Sequence, residues 1–253
     1  MTELKKMVAF LDKELCLEAF SDSSNNGLQV ENSGKVKKVC CGVDASMEFF
    51  VAARDAGAHL LICHHGLSWG NSLAHITDLN YTRLKFLIEN DMALYAAHLP
   101  LDAHPRYGNN ALIIKALGLK HLKPFGMYNG SFIGFEGAFD KAMTYSAFKK
   151  RVSKVTGCSE LQCMDFGRKH IKTVAVVSGG AAGEIAEAGK KGIDVYLSGE
   201  AGLVAYSLAQ EYGINAVFAG HYATEVFGVR ALGELLSKRF SVPSNFIDFN
   251  IPY

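Results

Sequence analysis

The sequence predicts an α/β fold whose sheets are largely parallel and flanked by helices. Three observations carry this. Short apolar runs bounded by Gly-containing loops recur along the chain and read as buried strands. Amphipathic stretches of helical length alternate with them, the rhythm of a parallel sheet covered by helices. That rhythm runs through the first half of the chain, breaks over residues 120–170, and resumes.

In order, residues 3–15 place Leu4, Met7, Val8, Leu11 and Leu15 at helical spacings. The polar run Ser21-Asp22-Ser23-Ser24-Asn25-Asn26-Gly27, ending in Leu28-Gln29-Val30, reads as a loop. Residues 36–43 suggest a strand, and Ser46 a cap for a helix over 47–56 that Gly57 stops. A strand closes at His64, and a helix over 79–90 capped by Asp78 turns Leu79, Leu84, Leu87 and Ile88 inward. Residues 92–97 form the next strand, Pro100 holds the loop after it extended, and a helix over 109–117 ends at Gly118.

Residues 125–139, with Phe132, Phe135 and Phe139 interleaved among glycines, suggest strands. A helix follows over 144–155, then strands over 161–166 and 171–177. Strands at 193–197 and 214–219 alternate with helices reaching Lys190, Gln210 and Arg239, and a last strand covers 245–249.

Composition excludes some functions. The 253 residues are 49% hydrophobic and 20% charged, enough for one large domain or two modest ones. A net charge of +1 and the lack of a recognisable motif argue against nucleic acid as a partner. The six cysteines form no Cys-x-x-Cys pair, and no apolar run approaches the roughly 20 residues that span a bilayer. The charged amphipathic N-terminus is not a signal peptide. The expectation is a reduced, cytoplasmic protein without a membrane partner.

Chemistry collects at strand ends, where open α/β sheets build their sites. Cys63-His64-His65-Gly66 closes one strand, His98 and Asp102 follow another, and His221 and Glu225 a third. Adjacent strand residues point to opposite faces, so His64 and His65 share a site only if the backbone leaves the strand, which Gly66 permits, or if each reaches a different metal. Otherwise one is a buried, hydrogen-bonded histidine and the other a solvated one. Cys63, facing away from His64, belongs to the core. His221 and Glu225, four apart at a helix start, share one face.

His64, His65, His221, Asp102 and Glu225 form an N/O donor set without thiolate, suited to Zn, Mn, Fe or Co. Five ligands serve two metals only by sharing. Two divalent ions bring +4 and two carboxylates return −2, leaving about +2 for a hydroxide and an anionic substrate group. His98 reads as a sixth ligand or as a proton carrier beside the metals. Glu200, in Ser198-Gly199-Glu200, reads as a general base or substrate contact, and equally as a helix-start carboxylate. Ser178-Gly179-Gly180 offers backbone N–H groups to an anion, or simply makes a tight turn. His104 before Pro105 reads as an ordinary loop residue, and His59, His75, His121 and His170 as surface or packing residues.

Asn26-Gly27-Leu28-Gln29-Val30, His64-His65-Gly66, His98-Leu99-Pro100-Leu101-Asp102, Ser198-Gly199-Glu200 and Gly220-His221-x-x-x-Glu225 together resemble the Nif-three-like dinuclear-metal family. Its bacterial members are often named GTP cyclohydrolase 1 type 2 homologues. The resemblance runs from the first helix to the last strand. It implies two α/β domains with two metal ions (Zn, Fe or Mn) in the cleft between them, and a toroidal homohexamer. It implies His64, His65, Asp102, His221 and Glu225 as ligands, Glu225 touching both ions, with His98 beside them. The expected domains are 1–122 with 222–253, and 123–221. The expected function is a metal-dependent hydrolase acting on a small anionic, nucleotide-like substrate, with His98 and Glu200 moving protons. GTP ring opening follows from the resemblance alone. The alternative is a non-catalytic metal-binding or interaction protein.

Overall fold

The structure, a computed structural model, describes residues 2–253. The chain forms two compact units, 1–101 with 228–249 and 102–227 with 250–253.

In the first unit Thr2–Glu3 (β1) pairs with Lys35–Val36 (β3), and Leu4–Leu15 (α1) buries Leu4, Met7, Leu11 and Leu15 at helical spacing. Gly27–Val30 (β2), Val39–Asp44 (β4), Leu60–His65 (β5) and Ala93–Ala96 (β6) belong to one sheet, with Met47–Asp55 (α2) and Asp78–Glu89 (α3) between its strands in sequence. The Ser46 hydroxyl accepts from the Phe49 N–H at 3.2 Å, capping α2 as its position suggests.

Three readings are corrected here. Residues 27–30 are not loop: β2 is an antiparallel edge strand on β6, a pairing too distant in sequence for local pattern to reveal. In α3 only Leu87 is fully buried with Leu84 packed partly beside it, while Leu79 and Ile88 are 54% and 65% exposed. Ile88 stands about 100° around the helix from Leu87, off the buried face. The residues after β6 are not extended: Leu99–Asp102 (α4) is one helical turn, with Pro100 where its missing N–H leaves no bond unmade.

The second unit comprises Asn109–Ala116 (α5), Lys120–Tyr128 (β7), Ser131–Thr144 (β8), Tyr145–Thr156 (α6), Gln162–Asp165 (β9), His170–Val176 (β10), Ile185–Lys190 (α7), Val195–Ser198 (β11), Leu203–Tyr212 (α8) and Asn215–Phe218 (β12). Its six-stranded sheet runs β7-β8-β10-β11-β12-β9. Only the centre, β10-β11-β12, is parallel; the margins are antiparallel, and β9 pairs with β12 rather than with β10, which follows it. Phe135 and Phe139 are buried as the interleaving suggests, and Phe132 lies outside. Ile113, Ile114 and Leu117 join Phe148, Val174 and Val195 in one core. That packing puts α5 in the second unit, whereas the boundary expected from sequence at 122/123 leaves it in the first.

His221–Phe240 (α9) begins in the second unit and ends in the first, where Ser244–Phe246 (β13) completes the five-stranded order β13-β4-β5-β6-β2. β13, β4, β5 and β6 are parallel. Among the described residues no helix is long and apolar enough to cross a membrane.

Candidate metal centre

In the first unit the histidines gather where the parallel strands end. β5 loses its β6 partner after the Cys63–Ala96 pair but stays paired with β4 as far as Asp44–His65. Past that point the rings of His64 and His65 lie 4.8 Å apart, with His98 at 5.1 and 5.7 Å from them. One ligand nitrogen from each of the three lies within 4.8 Å of the others. Cys63 is buried in the core, as its opposite facing requires.

Each ring is held by Nδ1. His64 Nδ1 lies 2.8 Å from the Ala97 carbonyl, and His65 Nδ1 2.8 Å from Asp44 Oδ1, its cross-strand neighbour. His98 Nδ1 meets both Asp22 oxygens at 2.9 and 3.1 Å. Asp22 also accepts from the Ser24 N–H, the Asn26 amide and the Leu99 N–H. Burial pushes its carboxyl up, but the hydrogen bonds from His98 and Asn26 outweigh burial and bring it down to about 2. An acceptor on Nδ1 fixes the tautomer and turns Nε2 into the ligand atom, the arrangement that orients metal-binding histidines.

The loop beyond His65 is set by Gln29. Its Oε1 accepts from the Leu67 and Ser68 N–H groups at 2.7 and 3.0 Å, and its Nε2 donates to the Asn25 carbonyl at 2.8 Å. Gly66 is needed for this close approach, since a Cβ there would overlap the Gln29 amide and Ala96; its φ is not in the left-handed region.

The second unit carries the remaining donors. Asp102, 6% exposed, accepts from Asn109 Nδ2 and Ser178 Oγ, both at 2.9 Å. His221 lies between two carboxylates: Nδ1 is 2.6 Å from Glu200 Oε1, and Nε2 3.1 Å from Oε1 of the buried Glu225. Burial pushes this imidazole down, but Glu225 and Glu200 together carry it up to about 9. An imidazole among carboxylates is a donor set that fits a divalent cation.

The turn at Ser178-Gly179-Gly180 does not offer its first two amides to an anion. Ser178 N–H donates to Asn110 Oδ1 at 2.7 Å and Gly179 N–H to Thr224 Oγ1 at 3.0 Å. The Gly179 carbonyl accepts from the Gly199 and Glu200 N–H groups at 3.0 Å. Gly179 has φ +66°, and a Cβ on it would collide with Glu225 Oε1 and come within 3.0 Å of His221 Nε2. The turn thus makes room for the His221–Glu225 pair.

Of the seven residues singled out in the sequence, His64, His65 and His98 lie together in the first unit, His221 lies between Glu200 and Glu225 in the second, and Asp102, also in the second, is held by Asn109 and by Ser178, the residue before Gly179. Those not anticipated are the groups that hold them: Asp22, Asp44, Asn109 and Thr224. Asp44 had a readable signal, since it ends a strand just as His65 does.

The chain matches the family described as Duf34/NIF3 (NGG1p interacting factor 3) over residues 2–251. It belongs to the Duf34/NIF3 family. Two relatives, from Deinococcus radiodurans and Archaeoglobus fulgidus, are each named GTP cyclohydrolase 1 type 2 homolog. The first is 44% identical, over 96% of this chain and 92% of its own length; the second is 40% identical, over 97% of each. Among solved structures, TTHA1606 from Thermus thermophilus superposes with a TM-score of 0.89 at 35% identity, covering all of both chains. This Duf34/NIF3 protein therefore pairs a family-wide α/β architecture with histidine and glutamate groups that could hold a metal ion.

Proposed function

We propose that this protein is a metal-dependent hydrolase acting on a small anionic, nucleotide-like substrate. In this reading His64 and His65 of the first unit and Asp102, His221 and Glu225 of the second hold two divalent ions, Zn, Fe or Mn, with His98 beside them. The observation that carries the reading is that every histidine in both clusters has Nδ1 committed to a carboxylate or carbonyl oxygen. Two such ions supply a nucleophile of hydroxide strength near neutral pH and polarise the bond to be cut.

The chain's own groups do the rest. Asp22 keeps His98 in one tautomer, with Nε2 available to move a proton. Asn109 and Ser178 fix the Asp102 carboxylate. Glu200, bonded to His221, positions that ring rather than exchanging protons with substrate. The names of the relatives support GTP as the first substrate to try. The six free cysteines support a reducing, cytoplasmic location. Exposed Leu203, Val204 and Tyr206 on α8 support self-association, and the homohexamer implied by resemblance is checked by sedimentation.

The test is metal analysis of protein purified without chelator, followed by turnover assays on GTP and a metabolite extract. His64→Ala is expected to abolish metal loading and turnover together. Turnover that survives complete demetallation refutes the proposal. A protein that stays metal-saturated and inert against the whole panel is a metal-binding protein without catalysis.

A further inference from the structure

Asp102 and Asn109 are joined by a hydrogen bond, and the six residues between them form a loop closed at its base. His104 organises this loop. Its Nδ1 accepts from the Arg106 and Tyr107 N–H groups at 3.2 and 3.0 Å, and its carbonyl accepts from the Gly108 N–H at 2.9 Å. Two amide donors on Nδ1 leave the ring proton on Nε2 and fix the imidazole within the loop. Its ring stacks on Tyr107, with centroids 5.2 Å apart and planes 23° apart. The Arg106 guanidinium lies over the same tyrosine ring at 5.2 Å.

Arg106 is exposed, and among the described residues no carboxylate pairs with it. Most other arginines are engaged: Arg54, Arg168 and Arg230 in ion pairs, Arg151 on the Leu117 carbonyl. Arg106 is thus a planar, permanently charged fork beside an aromatic ring, four residues beyond the buried Asp102. The contact with Tyr107 restricts the side chain, and a guanidinium without a carboxylate partner is the group that grips phosphate with two parallel bonds.

We infer that the loop His104-Pro105-Arg106-Tyr107 is the phosphate-recognition element of this site, with His104 shaping the loop through its Nδ1 and Arg106 gripping a phosphate group of the substrate. The inference rests on the metal-site reading for its place, but its readout is separate. A phosphorylated substrate also fits the positive charge left over at the centre.

The test uses the full chain, metal-loaded, with inorganic tripolyphosphate as the probe in isothermal titration. Arg106→Ala is expected to weaken binding about tenfold or more, the loss typical of one charge-assisted pair. Arg106→Lys restores only part of it, because an ammonium lacks the fork. His104→Ala loosens the loop and weakens binding less than Arg106→Ala. Metal content is measured on the same samples. Equal metal with unchanged tripolyphosphate affinity in Arg106→Ala overturns this inference, as does absence of binding by the wild type. Arg106-dependent binding in a protein that loads no metal upholds it and overturns the metal reading instead.

Discussion

Gly179→Ala is expected to damage the second cluster without touching any of its donors. The residue sits at φ +66°, where an L side chain costs about 1 kcal/mol or somewhat more. The new methyl would also collide with Glu225 Oε1, and Glu225 is only 3% exposed, so its carboxylate has little room to retreat. Moving it breaks the 3.1 Å contact with His221, a charge-assisted bond whose removal costs about 1.5 kcal/mol at the low end suited to a partly exposed imidazole. The sum is about 3 kcal/mol, which in a chain of this size lowers Tm by about 6–12 °C. A displaced carboxylate also weakens zinc binding by about tenfold to a hundredfold. Calorimetric melting of the metal-free protein and zinc titration read the two effects separately. Two neighbours are the controls. Gly183 has nothing within 4 Å of a Cβ, and Gly180 meets only Glu200 Oε2 at 3.5 Å and the His221 ring beyond it, so alanine at either is expected to be tolerated. Gly179→Ala melting with the wild type and binding zinc as tightly would show that the turn does not constrain the pair.

Asp44→Ala removes the acceptor that orients His65 and is expected to weaken zinc binding about tenfold to a hundredfold, with little change in melting because Asp44 is half-exposed. Asp55→Ala, an exposed partner of Arg54, is the matched control and leaves zinc affinity unchanged. Asp12→Asn is expected to stabilise the protein at pH 7. Burial raises the Asp12 carboxyl above 3.8, so its favourable contribution is present in acid and lost as pH rises through the raised value. Asparagine still accepts from the Tyr95 hydroxyl, so the advantage should fade when urea unfolding is repeated towards pH 4. A stabilisation that does not change with pH would contradict the burial argument.

Much of this protein was legible along the chain because the signals involved are local. Apolar runs and helical spacing fix the α/β rhythm within windows of a few residues, and ligand-type residues at strand ends identify themselves by position. His64, His65, His98, Asp102, Glu200, His221 and Glu225 were all singled out that way. What holds them was decided elsewhere. Asp44 meets His65 only because β4 and β5 pair in that register. Asp22 reaches His98 from a stretch that reads as punctuation. β2 exists only through β6, and the buried face of α3 depends on what the helix lies against. Even Gly179 reads as a turn until Glu225 is seen beside it. Side-chain periodicity is a property of neighbours in sequence, whereas the orientation of an imidazole depends on which distant oxygen the folded backbone delivers to its Nδ1.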